Sequence, residues 1–123
     1  MVAYGPFAEA APGVCDMTIH EAGGLFINAM TFSRGQRIAK HCHDYDHFSI
    51  VGSGRVVVEM VHPGGRTERV RLEAPALIHV RAGVRHKIIA ASAFVAWYCI
   101  HNSDRAEASI ADRAIIAEAA GRG

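Results

Sequence analysis

Several features that assign a chain to a common functional class are missing from this sequence. It has three cysteines, an odd number with no Cys-x-x-Cys pair, which argues against a disulfide framework and against a zinc ribbon. No apolar run approaches the ~20 residues that span a bilayer. The 13 lysines and arginines are scattered and the net charge is +1, so we predict neither a nucleic-acid partner nor a membrane partner.

The cysteines and the first residues both favour a reducing compartment. Cys99 lies in an apolar run from Phe94 to Ile100 and is expected to be a buried thiol. Residues 1–11 have no basic segment followed by an apolar core, as a secretory signal would have. We therefore expect a cytoplasmic protein.

The order of apolar runs and chain breakers predicts one all-β domain. A chain of 123 residues, half of them hydrophobic, is long enough to enclose one core. Between residues 25 and 101, short β-prone runs alternate with glycine or proline turns, and Pro63-Gly64-Gly65 predicts a hairpin. This spacing is typical of an antiparallel sandwich or barrel. Residues 1–24 predict an extended arm with one edge strand near Met17-Thr18-Ile19.

The last segment, residues 102–123, is expected to be a helix and a tail. Residues 106–120 are rich in Ala, Ile and Glu, which are compatible with a helix. Asp104 suits the N-cap with Glu107 three residues later, and Gly121 suits the C-terminal end. This helix is expected to lie on the barrel of residues 25–101 or on a partner subunit.

Eight histidines are many for this length, and four of them fall in two short segments. His41 and His43 share one face of a strand, because alternate side chains point the same way, so both can bind one ion. His47 would lie ~13 Å farther along a straight strand, so the chain must bend at residues 44–46. Aspartate there favours a solvated turn over metal binding. His86 follows the turn at Gly83, and the four imidazoles together predict a metal site.

These residues resemble the first sequence motif of the cupins. Gly35, His41-x-His43, His47 and Gly54 match its spacing, with His47 where the usual pattern has glutamate. The second cupin motif is matched only by Gly83 and His86. The resemblance covers roughly residues 25–101 and implies a cupin-like antiparallel β-barrel, also described as a double-stranded β-helix or jelly roll, often dimeric.

The resemblance also implies one divalent transition metal per chain, of which Mn, Fe, Ni, Cu and Zn are all candidates. It implies metal-binding roles for His41, His43 and His86, and similarity to small four-histidine cupins adds His47. Four neutral imidazoles leave the ion its full charge and do not select sharply among these metals. On an octahedral ion they leave two positions for water, substrate or dioxygen.

Our leading hypothesis from the sequence is a metal-dependent, dioxygenase-type oxidoreductase acting on a small organic molecule, as a homodimer. A metal-dependent isomerase, cyclase or lyase is the alternative within catalysis, and a non-catalytic metal-binding or small-ligand-binding protein is the alternative outside it. No general base is identified, although Tyr98 and His101 are candidates. Five aromatic and large apolar residues, Tyr98 included, are expected in the core rather than in a substrate pocket: Met30, Phe32, Phe48, Trp97 and Tyr98.

Overall fold

The structure, a computed structural model, describes residues 1–9, 16–41 and 45–102, with the backbone alone for residues 38–41. The predicted helix at residues 106–120 and the predicted ligand His43 lie outside the described residues. No helix in the described part is long and apolar enough to cross a membrane.

The described residues form nine antiparallel strands in two sheets, which confirms the all-β prediction. The strands are β1 Asp16–Ala22, β2 Leu25–Ser33, β3 Arg37–His41, β4 His47–Ser53, β5 Arg55–Val61, β6 Thr67–Glu73, β7 Ala76–Val80, β8 Arg85–Ala90 and β9 Phe94–Asn102. One sheet has five strands in the order β1-β2-β9-β4-β7, and the other has four in the order β3-β8-β5-β6. The predicted edge strand is β1, and the predicted hairpin joins β5 to β6.

The interior changes from apolar to polar along the strands of the five-stranded sheet. The register aligns inward-facing residues in rows that cross the sheet, because directly paired residues share a face. One row is apolar and contains Met30, Trp97, Val51 and Ala76. The next row contains Asn28, Cys99, Ser49 and Ile78. At the end of the sandwich beyond that row, Phe26 pairs with His101 and His47 pairs with Val80.

The four-stranded sheet has a matching end. Met60 and His41 both pair with His86, one from each side. Towards the other end, this sheet supplies core side chains that are at most 3% exposed, Val56, Val58, Ile88 and Ala90. Histidines therefore meet at one end of the sandwich, and the hydrophobic core lies below them.

The core prediction is confirmed for Met30, Phe32 and Trp97 and is wrong for Phe48 and for Tyr98, which is partly buried on the outer face of β9. Met30, Phe32 and Trp97 are each 1% exposed, and Cys99 is buried as expected. Phe48 is 47% exposed because His47 and Ser49, its neighbours along β4, occupy the inward positions. The alternation of side chains along β4 was visible in the sequence. Which of the two alternating sets points inward was decided by the packing of the opposite sheet.

The outer faces of the two sheets differ in charge. On the five-stranded sheet, two rows cross the outer face: His20, Ile27, Ile100, Phe48 and His79 in one, and Thr18, Ala29, Tyr98, Ile50 and Leu77 in the other. We call these ten residues the uncharged face, because none is Asp, Glu, Lys or Arg. The outer face of the four-stranded sheet is charged, with Arg37, Arg55, Glu59, Arg69, Arg71, Glu73, Arg85 and Lys87.

Candidate metal centre

His47 and His86 come from different sheets and meet inside the sandwich. His47 begins β4 in the five-stranded sheet, and His86 lies near the start of β8 in the four-stranded sheet. Their ring centroids are 5.6 Å apart, and the two residues are 4% and 2% exposed. Two predicted ligands separated by 39 positions in the sequence are thus neighbours in a site shielded from solvent.

A backbone contact sets the tautomer of His86. Its Nδ1 lies 3.1 Å from the carbonyl oxygen of Val84. A carbonyl only accepts hydrogen bonds, so Nδ1 carries the proton and Nε2 keeps its lone pair in the neutral ring. Metal-binding histidines are commonly oriented in this way, by a hydrogen bond from the ring nitrogen that does not bind the metal. The turn that contains Gly83 therefore holds His86 in the tautomer whose free Nε2 can bind a metal.

The backbone of His41 lies directly opposite His86. The two residues are paired between β3 and β8, with an irregularity in the register between Ile38 and His41. β3, which ends at the predicted ligand His41, is therefore adjacent to the strand of His86. The structure describes the side chains of two of the four predicted ligands, His47 and His86, and both fit a transition-metal site in burial and in donor type.

His101 is closer to the predicted ligands His47 and His86 than the sequence suggested. Its ring stacks on that of His47, with centroids 4.9 Å apart and planes 29° apart, and the residue is 2% exposed. The hydroxyl of Tyr45 lies 3.1 Å from Nδ1 of His101. Among the described residues, no three His, Cys, Asp or Glu side chains are placed to hold one ion. His101 is thus a neighbour of the predicted ligands rather than a third ligand beside His47 and His86.

Tyr98, the other sequence-based candidate for a general base, lies on the wrong face of the sheet. Trp97 and Cys99 point inward on β9, so Tyr98 between them points outward. Its ring is 6.0 Å from that of Phe7 in the N-terminal segment. The parity of β9 groups His101 with Trp97, and that parity was the one signal in the sequence for an inward-facing His101.

Asp46 fixes the predicted bend before His47. Its carboxylate accepts a hydrogen bond of 2.8 Å from the backbone N–H of Ala82 and lies 2.9 Å from Nε2 of His79. The hydrogen bond from the Ala82 N–H lowers the pKa of Asp46 below its usual value, and the hydrogen bond with His79 lowers it further. Asp46 is exposed, in agreement with the prediction of a turn residue. The contact ties the turn that precedes His47 to the turn that precedes His86.

Replacing Asp46 with alanine is expected to loosen these two turns. Hydrogen exchange at the Ala82 amide should become several-fold faster, because its hydrogen-bond acceptor is lost. Asp46→Asn is the matched control, since the side-chain carbonyl of asparagine still accepts from Ala82. Equal exchange rates in the alanine variant and the native protein would contradict this role for Asp46.

The row below the histidines contains buried polar residues, and no pattern in the sequence predicted this. Asn28 and Ser49 are each 1% exposed, and the Ser49 hydroxyl donates to the Cys99 sulfur at 3.5 Å. Trp97 Nε1 donates to the same sulfur at 3.1 Å. Within the described residues, Oδ1 of Asn28 is buried without a hydrogen-bond partner. This oxygen can accept a hydrogen bond from a bound molecule that donates an O–H or N–H.

Comparisons with solved structures identify the fold. A cupin superfamily protein from Desulfitobacterium hafniense is 14% identical, with a TM-score of 0.66 over 77% of this chain and 83% of that one. Oxalate oxidase in complex with the substrate analogue glycolate is 16% identical, with a TM-score of 0.65 over 76% of this chain and 53% of that one. A CENP-C domain from Drosophila melanogaster is 17% identical, with a TM-score of 0.58 over 68% of this chain and 71% of that one.

No protein-family model and no curated protein matches the sequence. The chain spans about half the length of the oxalate oxidase chain that it matches. The two-sheet architecture and these structural neighbours show that the chain has the cupin fold, as the motif resemblance implied.

Proposed function

We propose that the protein is a metal-dependent enzyme that acts on a small organic molecule. In this proposal His41, His43, His47 and His86 hold one divalent transition metal. The observation that supports it most is the buried pair of His47 and His86, with centroids 5.6 Å apart and with His86 oriented by Val84. Burial of two imidazoles side by side, one with its Nε2 lone pair directed by a backbone contact, matches the needs of a metal ligand.

A bound ion would supply Lewis acidity towards a substrate oxygen, and a redox-active ion would also supply one-electron chemistry. Oxygenation is the preferred reaction class, because the cupin resemblance favours it. Oxalate oxidase, which shares the fold, is by its name an oxidase, so it supports redox chemistry in this fold but not oxygen insertion in particular. A redox-neutral isomerase, cyclase or lyase reaction is the alternative.

The residues beside the predicted ligands suggest how the protein positions a substrate. Tyr45 is half-buried, and its ring centroid is 6.3 Å from that of His47. Its hydroxyl forms a hydrogen bond with Nδ1 of His101. On the interior side, Asn28 presents a buried carbonyl oxygen. Tyr45, His101 and Asn28 are therefore the candidates for orienting a polar substrate by hydrogen bonds.

Metal analysis of the full chain tests the proposal. Purified protein, stripped with a chelator and soaked separately with Mn²⁺, Fe²⁺, Ni²⁺, Cu²⁺ and Zn²⁺, is expected to bind about one ion per chain with at least one of them. Failure to bind any of these ions would overturn the proposal. Loaded protein that consumes no oxygen with a diketone, thiol and catechol panel would argue against oxygenation. Full turnover with zinc, which has no redox chemistry, would favour the alternative reaction classes.

A protein-binding function is the second candidate. The observation in its favour is that the structural neighbours include the Drosophila melanogaster CENP-C domain, another structure of which is bound to CAL1. The same fold thus occurs in a domain that binds a protein, and fold does not determine function. Native protein that binds no ion would support this candidate over the enzyme. A cytoplasmic location and the lack of nucleic-acid partners remain predictions from the sequence.

A further inference from the structure

The sandwich has an open side between the strands that end its two sheets. Within the described part of the chain, β6 is the last strand of the four-stranded sheet and β7 is the last strand of the five-stranded sheet. Between Val70 and Leu72 on β6 and Ile78 and Val80 on β7 lies a cavity of about 290 Å³, which we call the side cleft. This volume is close to the lower end of the range for small-molecule sites, so it suits a ligand of about ten non-hydrogen atoms.

The walls of the side cleft are apolar and separate it from the predicted metal ligands. Three aliphatic side chains in the walls are partly buried and pack on the hydrophobic core: Val70, Leu72 and Ile78. Met60 and Val80 also line the cleft, and they are the direct strand neighbours of His86 and His47. Neither of these two histidines lines the cleft itself. The side cleft is therefore a second concave site, next to the candidate metal centre but not part of it.

The rim of the side cleft carries one cation without a bonded partner among the described residues. Nε2 of His62 lies 3.4 Å from Oε1 of Glu68, and Nε2 of His79 lies 2.9 Å from a carboxylate oxygen of Asp46. Arg81 is exposed and forms no hydrogen bond or ion pair with any described residue. Asp46 is within range of its charge but has hydrogen-bond partners of its own. The N–H donors of the Arg81 guanidinium therefore face only solvent or a ligand in the cleft.

We propose that the side cleft binds a small organic acid with an apolar body, of which a medium-length fatty acid is an example. The hydrocarbon body lies against the aliphatic walls, because removing apolar surface from water is favourable. The carboxylate accepts hydrogen bonds from Arg81, whose planar fork of donors matches two carboxylate oxygens. A cationic ligand is a poorer match. Among the described lining residues the only carboxylate is that of Glu68, which already has His62 as a partner.

Titration of the isotope-labelled full chain with octanoate, followed by two-dimensional NMR, tests the proposal. The protein is first stripped with a chelator, so that a carboxylate bound to a metal ion cannot produce the signal. Octanoate is expected to bind with a dissociation constant of about 0.1–1 mM, which is typical of the affinity that about ten non-hydrogen atoms supply. The amides that shift should lie on β6, on β7 and in the turn before Val84. Octanol, which has the same chain without the charge, should bind about tenfold more weakly.

Replacing Arg81 with glutamine is expected to weaken octanoate binding by about tenfold and to leave octanol binding unchanged, because only the carboxylate uses the guanidinium. Arg71→Gln is the matched control. Arg71 is also exposed, but it lies between Val70 and Leu72 on β6 and so points away from the cleft. This control should bind octanoate as the native protein does. Equal affinities of the two variants for octanoate would overturn the proposal.

Replacing Val70 with phenylalanine fills part of the side cleft and is expected to abolish the binding of both ligands. Ile89→Phe is its control, since Ile89 is also partly buried but lies on the outer face of the same sheet. Circular dichroism and a thermal melt establish whether each variant is folded, and Leu72→Trp replaces Val70→Phe if the latter does not fold.

Two further results would overturn the proposal. One is a native protein whose amides beside the side cleft do not shift at about 10 mM octanoate, well above the expected dissociation constant. The other is a folded Val70→Phe or Leu72→Trp variant that binds octanoate as tightly as Ile89→Phe. Because the sample contains no metal, these outcomes do not depend on the proposed enzyme function.

Discussion

Replacing His86 with alanine is expected to lower the affinity of the protein for a divalent transition metal by more than about 100-fold. Loss of a residue that only supports a metal ligand typically costs 10–100-fold in affinity, so loss of a ligand itself should cost more. His86 is 2% exposed and faces His47 across the sandwich, so few other groups can take its place. Competition of the stripped protein against a coloured chelator, with the metal that the native protein binds best, measures the change.

His62→Ala is the matched control for this experiment. It also removes one imidazole, but His62 is partly exposed and lies at the hairpin between β5 and β6. Its Nε2 is 3.4 Å from Oε1 of Glu68. The control should bind metal as the native protein does. Equal affinities for the His86→Ala and His62→Ala variants would remove His86 from the metal site. Thermal melts of both metal-free variants would separate a loss of ligand from a loss of fold.

Replacing Gly54 with alanine is expected to cost about 4 kcal/mol or more, which is exceptional for one substitution. Gly54 has a φ of +81°, a region that disfavours residues with a Cβ, and this alone costs about 1–2 kcal/mol. An added Cβ would also clash with the backbone carbonyl of Phe94 and lie 2.6 Å from the hydroxyl oxygen of Ser92. Those atoms cannot easily move, because the Ser92 hydroxyl donates to Phe94 O and accepts from the backbone N–H of Arg55.

Gly64→Ala separates the two contributions. Gly64 has a φ of +93° but nothing lies within 4 Å of the position of an added Cβ. This control should lose only the conformational part, about 1–2 kcal/mol. The free energy of unfolding of both variants, measured by urea denaturation of the metal-free protein, gives the comparison. Equal losses would show that the close approach of Phe94 and Ser92 to Gly54 has no energetic consequence.

The strands were the most predictable part of this protein, because turns and alternation are local signals. Pro63-Gly64-Gly65 correctly marked a hairpin, and the strand predicted at Phe48–Val51 is present as β4, although β4 continues through Gly52 and Ser53 and ends before Gly54. The direction in which an alternating strand faces was harder to predict. Because alternation does not show which set of side chains points inward, the prediction that Phe48 and Tyr98 lie in the core was wrong. Both side chains point outward.

The candidate metal site could be predicted in part from the sequence. The close spacing of three histidines and the resemblance to the cupin motif selected His47 and His86, and the fold brought them together. The proximity of His101 to His47 could not be predicted, because the two are 54 positions apart and only the pairing of β4 with β9 makes them neighbours. Asn28 gave no signal in the sequence, since its place below the histidines follows from the register of β2 on β9.

The sequence by itself determined that the described part of the chain is all-β, where most of its turns lie, and which residue types are available for a metal. These properties depend on local backbone preferences and on the chemistry of single side chains. Only the tertiary structure decided that the histidines meet at one end of the sandwich above a polar row. It also decided that ten residues without formal charge, from five strands, lie together on one outer face. Both follow from strand register, in which residues far apart in the chain are paired by hydrogen bonds that no local pattern encodes.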